Sequence, residues 1–270
     1  MLAYHCNKSG TYKRRIANAF TRDALQYDTA ASLQAEIGKQ LLVHLALTGP
    51  PPHYILDLGC GTGQFTKIMD KRFTDAVIMG MDLSYGMLQV ALQDPFANKK
   101  SFYGICGDAE DIPLKSHSIE LIASNMMLQW CVDLKAVLTE IKRVLTTEGV
   151  LLFSILGNNA LTELRDCWQG IDAYQHVHQF IDLVGLLNAL KAAGFTRIHY
   201  QQKIIKTFFE NIEPLLASLK KIGASNASPA RRKGLMSKTC LQQLSTQYET
   251  LRNEQGLLPL SYEVIYIQAS

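Results

Sequence analysis

The sequence lacks any C-x-x-C pair. Its six cysteines, Cys6, Cys60, Cys106, Cys131, Cys167 and Cys240, are scattered, which argues against a zinc site and a disulfide framework and points to reduced thiols. No apolar run approaches the about 18 residues that a membrane span requires, and residues 1–10 carry no apolar signal core; the expectation is a cytoplasmic protein without membrane association. Repeats and low-complexity tracts are missing. Charged residues are only 19% of the chain against 47% hydrophobic, a globular balance, and 270 residues suit one large domain or a domain with an insertion. Acids are absent from two stretches. Residues 1–22 hold Lys8, Lys13, Arg14, Arg15 and Arg22, and residues 214–238 hold Lys220, Lys221, Arg231, Arg232, Lys233 and Lys238, so the net charge of +3 is unevenly spread.

What is present centres on residues 54–63, YILDLGCGTG. Apolar Ile55, Leu56 and Leu58 predict a buried strand, after which Gly59, Gly61 and Gly63 let the backbone turn with nothing projecting from Cα. Such a loop either cradles a nucleotide or merely turns the chain. The spacing is G-x-G-x-G, not the dinucleotide G-x-G-x-x-G, and no Lys-Ser/Thr follows as a P-loop would need. A second strand over residues 76–81 is closed by Asp82, an acid able to accept from both ribose hydroxyls. A third over residues 101–106 leads to Asp108, Ala109 and Glu110, and a fourth over residues 119–124 leads to Asn125. Asp108 taken alone has capping of the turn at residues 110–111 as its alternative.

This succession resembles the S-adenosylmethionine-dependent methyltransferases of the seven-stranded, Rossmann-like class. The resemblance implies an α/β fold with a mostly parallel sheet, an antiparallel last strand and helical lid elements. It implies a glycine loop around the methionine and ribose, Asp82 on the ribose and Asp108 beside the adenine. The implied cofactor set is Tyr27, Asp57, Gly59, Cys60, Gly61, Gly63, Asp82, Leu83, Met87, Asp108, Ala109, Glu110 and Asn125.

The rest of the chain fits that plan. Ala17, Phe20, Ala24, Tyr27 and Ala31 share one face of an N-terminal helix; a second amphipathic run over residues 33–47 ends at the prolines of residues 48–52. Helices are predicted over residues 64–72, 84–92 with Ser84 as N-cap, and 133–145 with Asp133 as N-cap. A turn at Glu148-Gly149 then opens the apolar strand over residues 150–156. Helices over residues 160–171 and 182–193 and strands over residues 200–209 and 262–269 follow, with two helices, residues 212–222 and 239–254, between the last strands. The expected organisation is a lid at residues 1–52, a cofactor-binding core at 53–210, a substrate or partner insertion at 211–260 and the last strand at 261–270.

Beyond the core motifs, IANAFTRDALQYDTAASLQ from Ile16, SNMMLQWC at residues 124–131, LTELRDCWQGID at 161–172, SLKKIGA at 218–224 and LPLSYEVIY at 258–266 resemble the malonyl-acyl-carrier-protein O-methyltransferases of biotin synthesis, over nearly the whole chain. That likeness implies methylation of a free malonyl carboxylate on acyl carrier protein, or on malonyl-coenzyme A, with S-adenosyl-L-homocysteine as product. A carboxylate is already ionised at neutral pH, so no catalytic general base is expected. For the acceptor, Gln129, Trp130, Arg165 and His176 are the candidates; Arg165 suits a carboxylate or snorkels at the surface, and Trp130 and Tyr27 have packing as their alternative. His176 and His178 alternate along the chain, which argues against a shared metal. Lys220, Arg231, Arg232 and Lys233 are candidates for docking an acidic carrier; a nucleic-acid partner is disfavoured because no recognised RNA-binding module accompanies the charge. A methyltransferase acting on free small molecules and a non-catalytic cofactor-binding scaffold remain the alternative readings.

Overall fold

The computed structural model describes residues 10–94, 96, 102–221 and 237–270. Seven strands form one sheet in the order β3-β2-β1-β4-β5-β7-β6. These are β1 (Tyr54–Leu58), β2 (Val77–Asp82), β3 (Tyr103–Cys106), β4 (Ile119–Asn125), β5 (Leu145–Leu156), β6 (Ile198–Phe209) and β7 (Leu258–Ala269). The first five run parallel, while β7 is antiparallel to both β5 and β6.

Alternation along each strand divides the core in two. Ile55, Leu121, Leu152, Val264 and Tyr266 face one layer, and Leu56, Ile122, Leu151, Phe153 and Ile265 face the other. The first layer is covered by α2 (Ser32–Val43), α3 (Gln64–Arg72), α6 (Thr162–Gln169), α8 (Ile212–Lys221) and α9 (Lys238–Glu249), the second by α5 (Leu134–Val144) and α7 (Leu183–Ala192). Two covered faces explain why the central strands read as near-continuous apolar runs. The remaining helices, α1 (Gly10–Ala30) and α4 (Tyr85–Gln93), pack on one another at the edge where β2 and β3 end.

Both expected caps form: Ser84 Oγ accepts from Met87 N at 3.2 Å, and Asp133 Oδ1 from Ala136 N at 3.0 Å. Four boundaries differ from expectation by four or five residues: α2 ends at Val43 rather than 47, β7 starts at Leu258 rather than 262 because Leu258 already pairs with Phe209, and β5 and α9 differ as follows. No turn at Glu148-Gly149 starts β5. The strand begins at Leu145, directly after α5, because Leu145 pairs with Ile119 and Val150 with Leu121, so residues 146–149 are absorbed as an irregularity within one strand. Helix α9 stops at Glu249 rather than residue 254, since Asn253 Oδ1 accepts from Gln255 N and Leu257 N and offers the backbone a turn instead. No helix among the described residues is long and apolar enough to cross a membrane.

Candidate active site

At the carboxyl end of β1 the chain turns through Gly59 (φ 78°), Gly61 (φ 55°) and Gly63 (φ 82°), left-handed conformations that favour glycine. The loop is tied to β2: Gly59 N and Cys60 N donate to the Met81 carbonyl at 2.7 and 3.1 Å, and Gly61 N donates to Asp82 Oδ2 at 2.9 Å. The other oxygen of Asp82 accepts from Ser84 N at 2.7 Å. Burial raises the Asp82 pKa, and these amide donors oppose the rise. Asp57 lies beneath the loop, where Thr66 Oγ1 donates to its Oδ2 at 2.6 Å. Burial, with the charge of Asp82 adding, brings its pKa to about 7 despite the Thr66 bond.

A long cavity runs across the strand ends. Asp108, Ala109 and Glu110 line it beside β3, Asp82, Leu83 and Met87 beside β2, and Gly59, Gly61 and Asn125 at the crevice between β1 and β4. This crevice is where the strand order reverses, the place at which open α/β sheets bind ligands. Beyond it the lining becomes mostly apolar and aromatic: Gln129 and Trp130 after β4, Leu161 and Leu164 at α6, residues 176–178, Phe180, Leu219 of α8 and Tyr262 of β7.

Helix α1 lies across this cavity. Its Lys13 Nζ meets Asp108 Oδ2 at 2.5 Å and Glu110 Oε2 at 2.7 Å. Burial alone would lower the Lys13 pKa, but the two acids hold it above its ordinary value. Further along, Thr21 Oγ1 and Ser84 Oγ share a hydrogen bond of 2.8 Å, and Asp28 accepts from Thr62 Oγ1 at 2.5 Å and Gln64 Nε2 at 2.6 Å. The helix is thus fastened to the ends of β3, β2 and β1 in turn. Phe20 meets Trp130 edge-on, with centroids 5.8 Å apart, and Tyr27 at 6.2 Å. Burial and the nearby Asp82 and Asp28 push the Tyr27 hydroxyl up, which keeps it a donor.

The structure brings together Tyr27, Gly59, Gly61, Asp82, Leu83, Met87, Asp108, Ala109, Glu110 and Asn125 with Gln129, Trp130 and His176. Asp57, Cys60 and Gly63 support the loop without lining the cavity. Arg165 does not reach it either. On α6 the inward positions belong to Leu164 and Trp168, and Arg165 is rotated off that face, its Nη1 donating to the Asn158 carbonyl at 3.0 Å. Lys220 is exposed on α8, beside Leu219; Arg231, Arg232 and Lys233 lie outside the described residues.

Several lining residues escaped sequence reasoning, among them Lys13, Gln34, Cys131 and His178. Lys13 had a signal, since it stands one turn before Ala17 on the face that also holds Phe20 and Tyr27. The histidines have separate environments. His176 stacks on Trp168, centroids 3.6 Å apart, and bonds Asp172 at 2.7 Å, whereas His178 lies 5.7 Å from Trp130 with its pKa lowered by burial. The Cys131 thiol is pushed up to about 12, by burial first and then by Glu110 and Asp108, so it offers no thiolate nucleophile. Among the described residues no three His, Cys, Asp or Glu side chains are grouped to hold a metal ion.

The methyltransferase domain family matches residues 56–153. A malonyl-[acyl-carrier protein] O-methyltransferase of Methylovorus is 36% identical over 94% of this chain and 87% of its own length, and one of Legionella pneumophila is 34% identical over 96% and 91%. Among solved structures, a YcgJ protein from Bacillus subtilis shares the fold with a TM-score of 0.60 at 16% identity, over 86% of this chain and 96% of its own. With the glycine loop, the strand-end acids and the seven-stranded sheet in place, likeness at this level over nearly the full length of both sequences has one consequence: the chain belongs to the malonyl-[acyl-carrier protein] O-methyltransferase family.

Proposed function

We propose that this protein moves the methyl group of S-adenosyl-L-methionine onto the free carboxylate of a malonyl thioester carried by acyl carrier protein. The observation that carries this reading is the continuity of one cavity from the polar strand ends to the apolar chamber beyond Trp130. The polar half fits the cofactor. Asp82, held by the backbone amides of Gly61, Leu83 and Ser84, still has lone pairs left for a ribose diol. Gly59 and Gly61 present bare backbone, no P-loop lysine follows them, and adenosylmethionine carries no phosphate to require one. Asp108 would face the adenine amine, sharing its carboxylate with Lys13. At the far end the buried Gln34 Oε1 has no hydrogen-bond partner in the protein.

Adenosylmethionine supplies an electrophilic sulfonium methyl. The chain's own residues position and enclose. A malonyl carboxylate attacks as the anion it already is, so orientation and the exclusion of water are what remain to be provided, and alignment alone can be worth roughly 7–11 kcal/mol. Trp130, His176, His178 and Gln129 form the wall nearest the cofactor half, and Phe20 and Tyr27 close it from α1. Leu164, Leu219 and Tyr262 continue the chamber towards α8, where Lys220 is exposed; an acidic carrier docked there, with Arg231, Arg232 and Lys233 from the same acid-free stretch, would bring its thioester arm to this end of the chamber.

The test is transfer of radiolabelled methyl from adenosylmethionine to malonyl-acyl carrier protein, beside malonyl-coenzyme A, acetyl-acyl carrier protein and free malonate. Base-labile label on the malonyl carrier but not the acetyl carrier is expected. Label on free malonate at an equal rate would replace this reading with a small-molecule carboxyl methyltransferase. A Lys220→Glu variant is expected to lose several-fold in turnover on the carrier while its S-adenosylhomocysteine affinity stays unchanged.

A further inference from the structure

The residue in the cavity with the least explained chemistry is Gln34 of α2. It is 9% exposed, it lines the cavity, and its Oε1 is buried without a hydrogen-bond partner. A buried acceptor left unsatisfied is destabilising, so a donor is missing from this point of the site.

Its backbone is held at the end of a chain of hydrogen bonds. Asn125 Nδ2 donates to the Gln34 carbonyl at 2.9 Å, Asn125 Oδ1 accepts from Ser154 Oγ at 2.7 Å, and Ser154 Oγ accepts from Met126 N at 3.0 Å. One turn along α2, Gly38 lets the helix approach closely: a Cβ there would stand 2.9 Å from Phe65 Cδ2 and 3.1 Å from Asn125 Nδ2. Asn125, at the end of β4, therefore has both ends of its side chain engaged in positioning α2. Gln34 Oε1 is a buried oxygen lining this end of the cavity that has no partner among the described residues.

Its location specifies the donor. The acids lining the cavity, Asp82, Asp108 and Glu110, belong to the ends of β2 and β3, whereas Gln34 is tied to Asn125 at the end of β4, and among the described residues no acid lines the cavity on that side. Asp57 cannot serve, being under the glycine loop and bonded to Thr66. The second orphaned lining oxygen, Gln129 Oε1, lies past Met126 and Met127 on the acceptor side.

We propose that Gln34 recognises the amino-acid end of the cofactor, its Oε1 accepting a hydrogen bond from the α-ammonium of adenosylmethionine. This rests on the cofactor assignment above. Gln34 is then the residue by which the site separates a nucleoside bearing an amino acid from one that does not.

The experiment is calorimetric titration of the full chain and its Gln34→Leu and Gln34→Glu variants with two ligands, S-adenosylhomocysteine and 5′-methylthioadenosine, which share adenine, ribose and thioether but differ in the amino-acid end. Gln34→Leu is expected to weaken S-adenosylhomocysteine roughly tenfold or more, the loss of one hydrogen bond to a charged group, and 5′-methylthioadenosine less than twofold. Gln34→Glu, which keeps the acceptor, should retain more of the S-adenosylhomocysteine affinity than Gln34→Leu. Equal losses for both ligands would reduce Gln34 to a packing role, and unchanged S-adenosylhomocysteine binding in Gln34→Leu would remove it from the site. If the unmodified protein bound neither ligand, the cofactor assignment itself would fail.

Discussion

The two halves of the cavity are built on different principles. In the cofactor half, each acid follows its own strand and is oriented by backbone amides a residue or two away or by the neighbouring loop: Asp82 by Ser84 N and Gly61 N, Asp108 by Glu110 N at 3.0 Å. In the acceptor half the walls come from segments far apart in sequence, Trp130 after β4, Leu164 on α6, His178, Leu219 on α8 and Tyr262 on β7, brought together by packing. Local backbone geometry makes the strand-end floor of the first half, over which α1 and α2 bring Lys13, Tyr27 and Gln34; tertiary contact makes all of the second. A substitution in one should therefore leave the other largely intact, and three variants measure how far that holds.

The largest effect is expected from Gly59→Ala. A Cβ at this position would overlap Met127 Cγ, and the φ of 78° is strained for any side chain. Overpacking and left-handed strain together are worth a few kcal/mol, so S-adenosylhomocysteine affinity should fall about 100-fold. Calorimetry gives the answer directly. An affinity within threefold of the unmodified protein would mean that the loop adapts and that its geometry is not what defines the cofactor half.

Trp130→Ala probes the other half. Trp130 meets Phe20 of α1 and His178 of the chamber at centroid distances of 5.8 and 5.7 Å. Such contacts are worth about 0.5–1.5 kcal/mol each, so KM for the malonyl acceptor should rise roughly tenfold while the Kd for S-adenosylhomocysteine moves less than twofold. Equal changes in both constants would show that α1 couples the halves into one unit.

The same contrast explains what could be read from the sequence. The strand-glycine-strand-acid succession pointed to β1 to β4 and to nine residues that line the polar half of the cavity, because each is fixed within a few residues of a strand end; the tenth, Tyr27, stands on α1. Periodicity puts Lys13 on the inward face of its helix, but it does not tell which strand end a helix will cover, and for Gln34 it gives no polar role at all. Arg165 was nominated for its chemistry, yet its position on α6, one residue from inward Leu164, turns it to the Asn158 carbonyl. His178 and Tyr262 reach the chamber only because of the paths of residues 176–180 and β7. The β5 start was misjudged because a Glu-Gly pair inside an irregular strand looks like a turn when the partner strand is unseen.

The smallest of the three effects concerns stability, and it asks what the polar half costs the fold. Asp57 is 1% exposed, its Oδ1 has no partner, and its pKa of about 7 stands well above the about 3.9 of an unfolded aspartate. Between those two values the folded protein keeps a proton that the unfolded chain has released. Stability from this group therefore falls as pH rises from about 4 to about 7, and the cost is fully present above 7. Asp57→Asn removes the buried charge while leaving an oxygen for the Thr66 hydroxyl. The variant should melt roughly 3–6 °C above the unmodified protein at pH 8 and close to it at pH 5, measured by calorimetry without ligand. A difference independent of pH would mean that Asp57 does not titrate in this window. A variant less stable at pH 8 would mean that the carboxylate is held by favourable contacts after all, and that the cofactor half contributes to stability as the apolar half does.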